Sequence, residues 1–379
     1  MPKREEVSVK KTKQTHPKIR PLTREEVKRL KPRKAREAPP RDSVLTGKRR
    51  LYVASPAGRR FDPVASAARV GKRRGSDIWR VDVQLPPQSR ETHLPLEMEK
   101  IPIARLRRET RRRVELGGFC PPWADVTYRL VGKKRPRERA MFAKGKRVRP
   151  LYVFDDRRRL VTNGSYPWWS IGKVTSNRGT GTGTLVGSKI VLTAGHMVPW
   201  DSADPWMKFA PAWNIPAVSF GEWDCVRAHG VSVGNPPSGS DEAANDVAIV
   251  QLETNLGDTL GFWGWNRYHD DWDDVGYWTS VGYPEDWPDQ PVFEDADTVE
   301  DADSEGDGLL LETEASLAHG NSGGPFCAWF STPNGPDPRV IGVVSSQGNL
   351  DVFPQDHDNF LAAGKIASDL IKWGRVNLM

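Results

Sequence analysis

The chain from about Leu151 to its last residue consists of short apolar runs separated by turn residues. Runs of this kind, bounded by Gly, Pro, Asn and Asp, are YPWWSIGKV, GTGTLVG, KIVLTAG, DVAIVQL, GYWTSVGYP, GLLLETEAS and VIGVVSS. Many short strands at close spacing, with turn signals between them, are typical of an all-β sandwich or barrel. No segment repeats at a fixed period, which excludes a propeller or a solenoid. We therefore predict an all-β domain.

One helix is predicted at the C-terminal end of this domain. The segment DNFLAAGKIASDLIKWG places apolar residues at helical spacing from Phe360 to Trp373, and Gly374 follows as a stop signal. The prediction is a single C-terminal helix beside the strands.

Residues 1–150 have a different pattern. The first 50 residues combine Lys and Arg runs with Pro and almost no aromatic side chain, a composition that predicts disorder because it buries too little apolar surface to offset the ordering entropy. Between Leu51 and Arg149, the patches DIWRVDVQL and ADVTYRLV resemble strands and IARLRRETRRRVEL resembles a helix. We expect this stretch to form a small, partly folded unit at most.

Charge separates the same two regions. Residues 1–150 carry 43 Lys and Arg against 16 Asp and Glu, a net charge of +27, whereas residues 151–379 carry 13 against 33, a net charge of −20. Thirteen of the 15 Trp lie in the acidic part. Because large aromatic side chains bury the most apolar area, we predict a packed domain at 151–379 preceded by a basic extension at 1–150.

Cysteine content and hydropathy exclude some classes of protein. Cys120, Cys225 and Cys327 allow at most one disulfide, and both a Cys225–Cys327 pair and buried free thiols stay open. The chain has no run of about 18 apolar residues, which predicts no membrane-spanning helix. The N-terminus lacks the apolar stretch of a secretory signal, so either export does not use that route or the start codon is misplaced.

Ser322, in the segment HGNSGGP, is a candidate nucleophile. A serine that attacks an amide needs an exposed hydroxyl and backbone N–H groups aimed at the developing oxyanion, and flanking glycines let the backbone turn that tightly. Gly320 and Ser322 would supply these two donors. The alternative is a glycine-rich turn with an incidental serine.

His196 and Asp246 complete a candidate catalytic triad. His196 follows the apolar run of IVLTAGHMV, and Asp246 directly precedes the apolar run of NDVAIVQL. Alone, each has a structural explanation, but the order His, Asp, Ser along the chain is the chymotrypsin order and differs from the subtilisin and α/β-hydrolase orders. In this arrangement His196 accepts the proton of Ser322 and returns it to the leaving amine, and Asp246 orients the imidazole.

The C-terminal part resembles the trypsin-like peptidases of the glutamyl endopeptidase (V8-like) branch. The resemblance rests on DDRRRLVTNGSYPWWSIGKV, KFAPAWN, NDVAIVQL, VGYPED, GNSGGP and VIGV, which occur in the same order as in that branch. It implies two six-stranded antiparallel β-barrels with the triad between them, and an extracellular, monomeric enzyme that acts on protein or peptide substrates. It also implies that Ser345 hydrogen-bonds the catalytic aspartate, and that the chain at Ser345–Gly348 pairs with substrate.

Three positions depart from that resemblance. No cysteine follows His196, so the disulfide that braces this histidine in animal trypsins is missing. Asn321 replaces the aspartate that pairs with a newly cut N-terminus in those enzymes. Val344 stands where glutamate-selective members have a histidine. The same alignment puts Ser316 at the floor of the substrate pocket with Leu317 beside it, and His319 at its entrance, as a substrate contact or as a solvated loop residue. We therefore expect neither glutamate selectivity nor a trypsin-like preference for Arg or Lys.

The predicted function is hydrolysis of peptide bonds through an acyl-enzyme, with no metal and no organic cofactor. DADSEGDGLLLE has the acid spacing of a calcium loop, but strand-like flanks favour an acidic hairpin. One alternative is a catalytically idle binding protein on the same fold. Another is tethering to polyanions through residues 1–150, although that stretch has no recognisable nucleic-acid module, so only non-specific binding is expected. We expect residues 1–150 to be a removable pro-region, as in a zymogen, with KGKRVRP as its processing site.

Overall fold

A computed structural model of the protein describes residues 19–37, 49–54, 69–72, 78–83, 93–110, 116–134, 142–143, 146–147, 157–162, 164–215, 220–231, 237, 239–347 and 359–378. Residues 49–54, 69–72, 78–83, 142–143, 146–147 and 347 are described by their backbone alone. The elements before residue 150 are β1 (Arg20–Pro21), α1 (Arg24–Arg29), β2 (Arg49–Ala54), β3 (Arg69–Lys72), β4 (Ile78–Val83), β5 (Glu97–Lys100), α2 (Ile103–Glu109), β6 (Gly132–Lys134), β7 (Phe142–Ala143) and β8 (Lys146–Arg147).

The elements after residue 150 are almost all strands. They are β9 (Arg159–Val161), β10 (Ile171–Ser176), β11 (Gly179–Leu185), β12 (Ile190–Thr193), β13 (Met207–Pro211), β14 (Trp223–Gly230), α3 (Ser240–Ala244), β15 (Ala248–Leu252), α4 (Leu256–Leu260), β16 (Gly264–Trp265), β17 (Trp278–Gly282), β18 (Val292–Asp297), β19 (Asp301–Glu305), β20 (Gly308–Thr313), β21 (Pro325–Thr332), β22 (Gly335–Gln347), β23 (Asn359–Ala363) and α5 (Gly364–Asn377). The predicted all-β class is confirmed.

Six antiparallel strands close into a barrel in the first half of this domain. The order is β13-β10-β11-β12-β15-β14, and a further pairing of β13 with β14 closes the circle. Small residues of β11 let the barrel wall pack tightly, since a Cβ added at Gly183 would lie 2.6 Å from the Val191 side chain and 2.8 Å from that of Val174. Both valines are fully buried. A narrow barrel of this size is filled by its own side chains.

The second half is a sheet in which six strands follow the order β20-β23-β22-β21-β17-β18. Its apolar core includes the fully buried aromatic residues Trp278, Phe326 and Phe330. No ladder joins β18 to β20 within residues 239–347, but Thr313 Oγ1 donates a hydrogen bond to Thr298 O at 2.6 Å across that gap. The acidic segment DADSEGDGLLLE forms the hairpin β19-β20 at the edge of this sheet.

The C-terminal helix begins later and ends later than predicted. Residues Asn359–Ala363 form β23, which pairs with β20 and β22, and α5 begins only at Gly364. Every residue of β23 is buried, so its apolar residues form a continuous run. Such a run also fits the spacing of a buried helix, which is why the predicted helix began too early. Gly374 does not end the helix but lies inside α5. A Cβ at this position would lie 2.5 Å from Ile249 Cδ1, so close packing explains the glycine.

The basic extension contributes to the folded domain. β1 pairs with β21, β5 lies parallel to β14, and β6 pairs with β9. Leu22, Leu96, Ile101, Leu106 and Val126 belong to the main hydrophobic core. The prediction of disorder for residues 1–50 is therefore wrong for residues 19–37. Composition missed this packing because isolated apolar residues dock onto a core that already exists, which requires no apolar run in the extension itself.

The other predictions for this region agree with the structure in part. DIWRVDVQL contains β4, which pairs with β2 and β3 in a separate three-stranded sheet. IARLRRETRRRVEL contains α2, which ends at Glu109 with Thr110 as its C-cap. ADVTYRLV makes only isolated bridges at Val126 rather than a strand. None of the helices in the described part of the chain has the length and apolarity that crossing a bilayer requires.

Candidate active site

His196 and Asp246 lie at one end of two paired strands of the barrel. β12 and β15 are antiparallel, and Thr193, the last residue of β12, pairs with Ala248, the first residue of β15. His196 sits in the short 3₁₀ turn Gly195–Met197 that follows β12, and Asp246 sits between α3 and β15. Because one strand ends where the other begins, the two side chains meet.

The carboxylate of Asp246 is held by three hydrogen bonds. Its Oδ1 accepts the backbone N–H of His196 at 2.7 Å, and its Oδ2 lies 2.7 Å from His196 Nδ1. The hydroxyl of Ser345 also donates to Oδ2, at 2.7 Å. The Asp246 side chain is only 3% exposed. An ionised acceptor with these donors holds the proton of a neutral imidazole on Nδ1 and leaves Nε2 free to accept a proton.

The charge of Asp246 also sets the proton affinity of His196. Burial acts to lower the pKa of His196, but the negative charge of Asp246 and their hydrogen bond together raise this pKa above its ordinary value. The imidazole is mostly buried, with 14% of its side chain exposed. The pair can therefore take up a proton on Nε2 and stabilise the resulting imidazolium.

The loop that carries Ser322 packs against β11 and the end of β12, immediately before the turn that carries His196. The N–H of Thr182, in β11, donates to Ser322 O at 2.8 Å, and Thr182 Oγ1 donates to Gly320 O at 2.8 Å. A Cβ added at Gly323 would lie 2.2 Å from Thr193 Oγ1, which leaves room only for glycine, and φ at this residue is +79°. The structure thus brings the second-half loop onto the first barrel close to His196.

In the described part of the chain, the backbone amides from Gly320 to Gly323 alternate between unpaired and paired. The N–H of Asn321 donates to Ala318 O at 3.0 Å, and that of Gly323 donates to Val344 O at 2.8 Å. The amides of Gly320 and Ser322 donate to no group in the described part of the chain. Gly320 has φ of +93°, a left-handed conformation that glycine adopts without strain. The N–H groups of Gly320 and Ser322 are therefore available as hydrogen-bond donors to a bound group.

The other residues predicted around the substrate pocket line the same region. Ser316, Leu317 and Val344 are buried, whereas His319 is exposed. Val344 N–H donates to Gly324 O at 2.9 Å, so β22 runs alongside the Ser322 loop. Asn359 Nδ2 donates to Ala315 O at 2.8 Å. The strands β22 and β23 therefore both contact the Ser322 loop.

Two buried acidic residues that the sequence did not reveal, Glu294 and Asp297, lie next to Ser316 and form an acidic pair. The N–H of Ser316 donates to Glu294 Oε2 at 3.1 Å. Glu294 and Asp297 have fully buried side chains, and Arg157 Nη2 lies 2.6 Å from Glu294 Oε1 and 3.4 Å from Asp297 Oδ1. Burial is the main cause that raises the pKa of Asp297 well above its usual range, and the charge of Glu294 is the second. Ser316 carries no charge itself, but its backbone N–H contacts a buried carboxyl group that lies next to Arg157.

A bulge explains why the sequence did not reveal this pair. Glu294 and Asp297 are three residues apart in β18, and a regular strand would point them to opposite faces. The register shifts opposite Ala296, whose φ is +70°, and this bulge turns both carboxylates to one side. The available signal was the unusual run of acids in FEDAD within an otherwise apolar strand.

The cysteines are not paired. Cys120, Cys225 and Cys327 are all free thiols, and Cys225 and Cys327 are buried in different halves of the domain, on β14 and β21. Of the two possibilities left open for Cys225 and Cys327, the structure therefore has the buried thiols.

Comparison with known proteins gives matches to peptidases. Residues 181–328 match the family described as trypsin-like peptidase domain. The glutamyl endopeptidase of Bacillus licheniformis is 29% identical over 124 residues, 31% of this chain and 37% of that relative. A solved structure of a Glu endopeptidase in complex with MPD has a TM-score of 0.47 and 21% identity, covering 59% of this chain and 99% of its own. The inactive form of the Rv3671c protease has a TM-score of 0.34 and 20% identity, covering 55% and 90%. The chain therefore spans little more than a third of the curated relative that it matches.

Proposed function

We propose that the chain is a serine endopeptidase with Ser322 as its nucleophile, because residues 181–328 match the trypsin-like peptidase domain and part of the chain is similar in sequence to a glutamyl endopeptidase. The observation that carries the proposal is that three hydrogen bonds hold the carboxylate of Asp246, which in turn orients His196 near the Ser322 loop. A buried carboxylate that fixes one imidazole tautomer is what a general base for a serine requires.

The reaction follows from these groups. His196 Nε2 accepts the Ser322 proton as the hydroxyl oxygen attacks the substrate carbonyl, and the unpaired amides of Gly320 and Ser322 stabilise the oxyanion. The imidazolium then gives its proton to the leaving amine, which breaks the peptide bond and leaves an acyl-enzyme on Ser322. Water, deprotonated by His196, attacks the acyl group, and the proton returns to Ser322 as the acid product leaves.

Substrate binding in this proposal uses the wall formed by β22. The backbone of Ser345–Gln347 pairs with an extended peptide, and the side chain before the cleaved bond enters the space near Ser316, Leu317 and Val344. His319 lies at the exposed rim. These assignments make the substrate a protein or peptide and require no metal and no organic cofactor.

The proposal covers residues 151–379 as the peptidase domain and residues 1–150 as its basic extension. We propose an extracellular, monomeric enzyme, on the resemblance to V8-like peptidases. The extension would bind polyanions only non-specifically, through its charge of +27. KGKRVRP lies outside the described residues except for Lys146 and Arg147, so its role as a processing site and the pro-region itself stay predictions.

The test is labelling of the full-length protein with an alkyl fluorophosphonate, followed by peptide mapping. The proposal expects one labelled peptide containing Ser322, no labelling of Ser322→Ala, and hydrolysis of a peptide library by the unmodified protein. A catalytically idle binding protein on this fold would give neither labelling nor hydrolysis, and that result would overturn the proposal.

A further inference from the structure

The loop from Thr313 to Gly324 depends on side chains that are distant in sequence. Its peptide unit between Ala315 and Ser316 is held at both polar atoms, because Asn359 donates to the carbonyl of Ala315 and Glu294 accepts the N–H of Ser316. This unit lies six residues before Ser322. A shift of Ser316 would therefore change the floor of the substrate pocket first.

Glu294 is itself held by Arg157. One carboxylate oxygen, Oε2, accepts Ser316 N–H at 3.1 Å, and the other, Oε1, lies 2.6 Å from Arg157 Nη2. The Glu294 side chain has no exposed surface, whereas 49% of the Arg157 side chain is exposed. A buried carboxyl group is costly to leave without a partner, and the Arg157 guanidinium supplies that partner for Glu294. Hydrogen bonds to a charged acceptor are roughly twice as strong as neutral ones.

The neighbouring arginine contacts the same loop from another side. Arg158 makes a bidentate contact with Asp286, at 3.0 Å to Oδ1 and 2.6 Å to Oδ2. Asp286 follows Glu285, whose N–H donates to His319 O at 2.7 Å. Two consecutive arginines thus reach the Ser322 loop, one through Ser316 and one through His319.

We propose that Arg157 is a positioning residue for the substrate pocket, acting through Glu294 to fix the peptide unit between Ala315 and Ser316. The inference rests on the proposed peptidase function. Its contacts come from side chains within the chain and need no newly formed N-terminus. The arrangement is therefore complete in the uncut chain, which matters because Asn321 cannot form the ion pair that a cut N-terminus would use.

The first test compares Arg157→Met with Arg159→Met in the full-length protein. Arg159 is exposed and lies two residues after Arg157. Replacing Arg159 with Met removes one positive charge, as Arg157→Met does, and therefore serves as the control. We expect Arg157→Met to lower kcat/KM for a library-selected peptide by on the order of 10- to 100-fold, mainly through KM. Its labelling by an alkyl fluorophosphonate, which does not fill the pocket, should change much less. Arg157→Lys should recover part of the loss, and Arg159→Met should match the unmodified protein.

A second variant separates positioning from folding. Glu294→Gln keeps an acceptor for Ser316 N–H and leaves Arg157 free to be solvated, so we expect it to fold and to raise KM in the same direction. Because Arg157 acts through Glu294, the two losses should not add. The KM of the double variant Arg157→Met, Glu294→Gln should be no higher than that of the single variant with the higher KM.

Three results would overturn the inference. Equal KM values for Arg157→Met and Arg159→Met would remove the role of Arg157. Additive effects of Arg157→Met and Glu294→Gln would break the connection between the two residues. Equal losses of labelling and of peptide hydrolysis in Arg157→Met would indicate general destabilisation instead. If the unmodified protein hydrolyses no peptide and takes no label, the peptidase proposal fails and the inference fails with it.

Discussion

The two halves of the candidate active site are built in different ways. His196 and Asp246 stand at the ends of the paired strands β12 and β15, inside a closed barrel. Ser322 stands on a loop that Thr182 of β11, Glu294 of β18 and the segment at 157–158 hold in place. His196 and Asp246 are thus positioned by adjacent strands, whereas Ser322, the proposed nucleophile, depends on contacts between distant parts of the chain.

This difference separates what a mutation can do in each half. Changes to the His196–Asp246 pair alter proton transfer while the barrel keeps its closed set of ladders. Changes around the Ser322 loop alter either the chemistry, at Ser322 itself, or the shape of the pocket, at the residues that hold the loop. The four predictions below test this division, and the largest effect comes first.

Ser322→Ala should abolish turnover. We expect kcat to fall on the order of 10⁶-fold, because the attacking hydroxyl is lost and only the oxyanion donors and binding remain. The thermal midpoint should stay close to that of the unmodified protein, since Ser322 is partly exposed and its hydroxyl leaves no core cavity. Steady-state hydrolysis of a peptide and thermal unfolding measure the two quantities. Ser304→Ala, on the exposed hairpin, is the control, and normal activity of Ser322→Ala would refute the triad.

Asp246→Asn should be the second largest change, with a loss of roughly 10⁴-fold in kcat because the amide favours the wrong imidazole tautomer. The acid limb of the pH–rate profile supplies a second readout. Activity of the unmodified protein should rise with pH as His196 loses its proton, and Asp246 raises the pKa of His196. Removing that charge should move the limb to lower pH. An unchanged limb would mean that another group controls it.

The strands of the first barrel and the meeting of His196 with Asp246 were predictable because the signal is local. An apolar strand run followed by His196, or preceded by Asp246, fixes where each side chain emerges. The acidic pair was not predictable, since it depends on a bulge at Ala296 and on Arg157 more than a hundred residues away. The core residues of the extension were missed for a related reason, because Leu22 and Leu106 lie singly among charged residues.

The extension should be required for the stability of the first barrel. Leu106, on α2, is fully buried in the main core, and α2 packs against α5. Leu106→Ala should lower the free energy of unfolding by about 2–5 kcal/mol through lost burial and a cavity. Ile103→Ala on the same helix is the control, because Ile103 is 37% exposed and should change stability by less than about 0.5 kcal/mol.

Denaturant unfolding of the full-length protein measures both values. If the extension were a removable pro-region held to the domain by charge alone, both variants should lower the free energy of unfolding by the same small amount. A large loss for Leu106→Ala alone would indicate instead that a cut within residues 135–156 leaves the extension bound to the domain.

The smallest expected effect is the preference between Glu and Gln before the cleaved bond. Val344 leaves no carboxylate-binding histidine in the wall of the pocket, and Glu294 and Asp297 lie below its floor. A buried glutamate side chain would lose its hydration without gaining a new cation, since Arg157 already contacts both acids. Two peptides that differ only by Glu or Gln at this position should therefore have kcat/KM values within roughly tenfold of each other. His319→Ala should leave the ratio unchanged. A strong preference for Glu that disappears in His319→Ala would show that the exposed rim, rather than the pocket floor, selects the substrate.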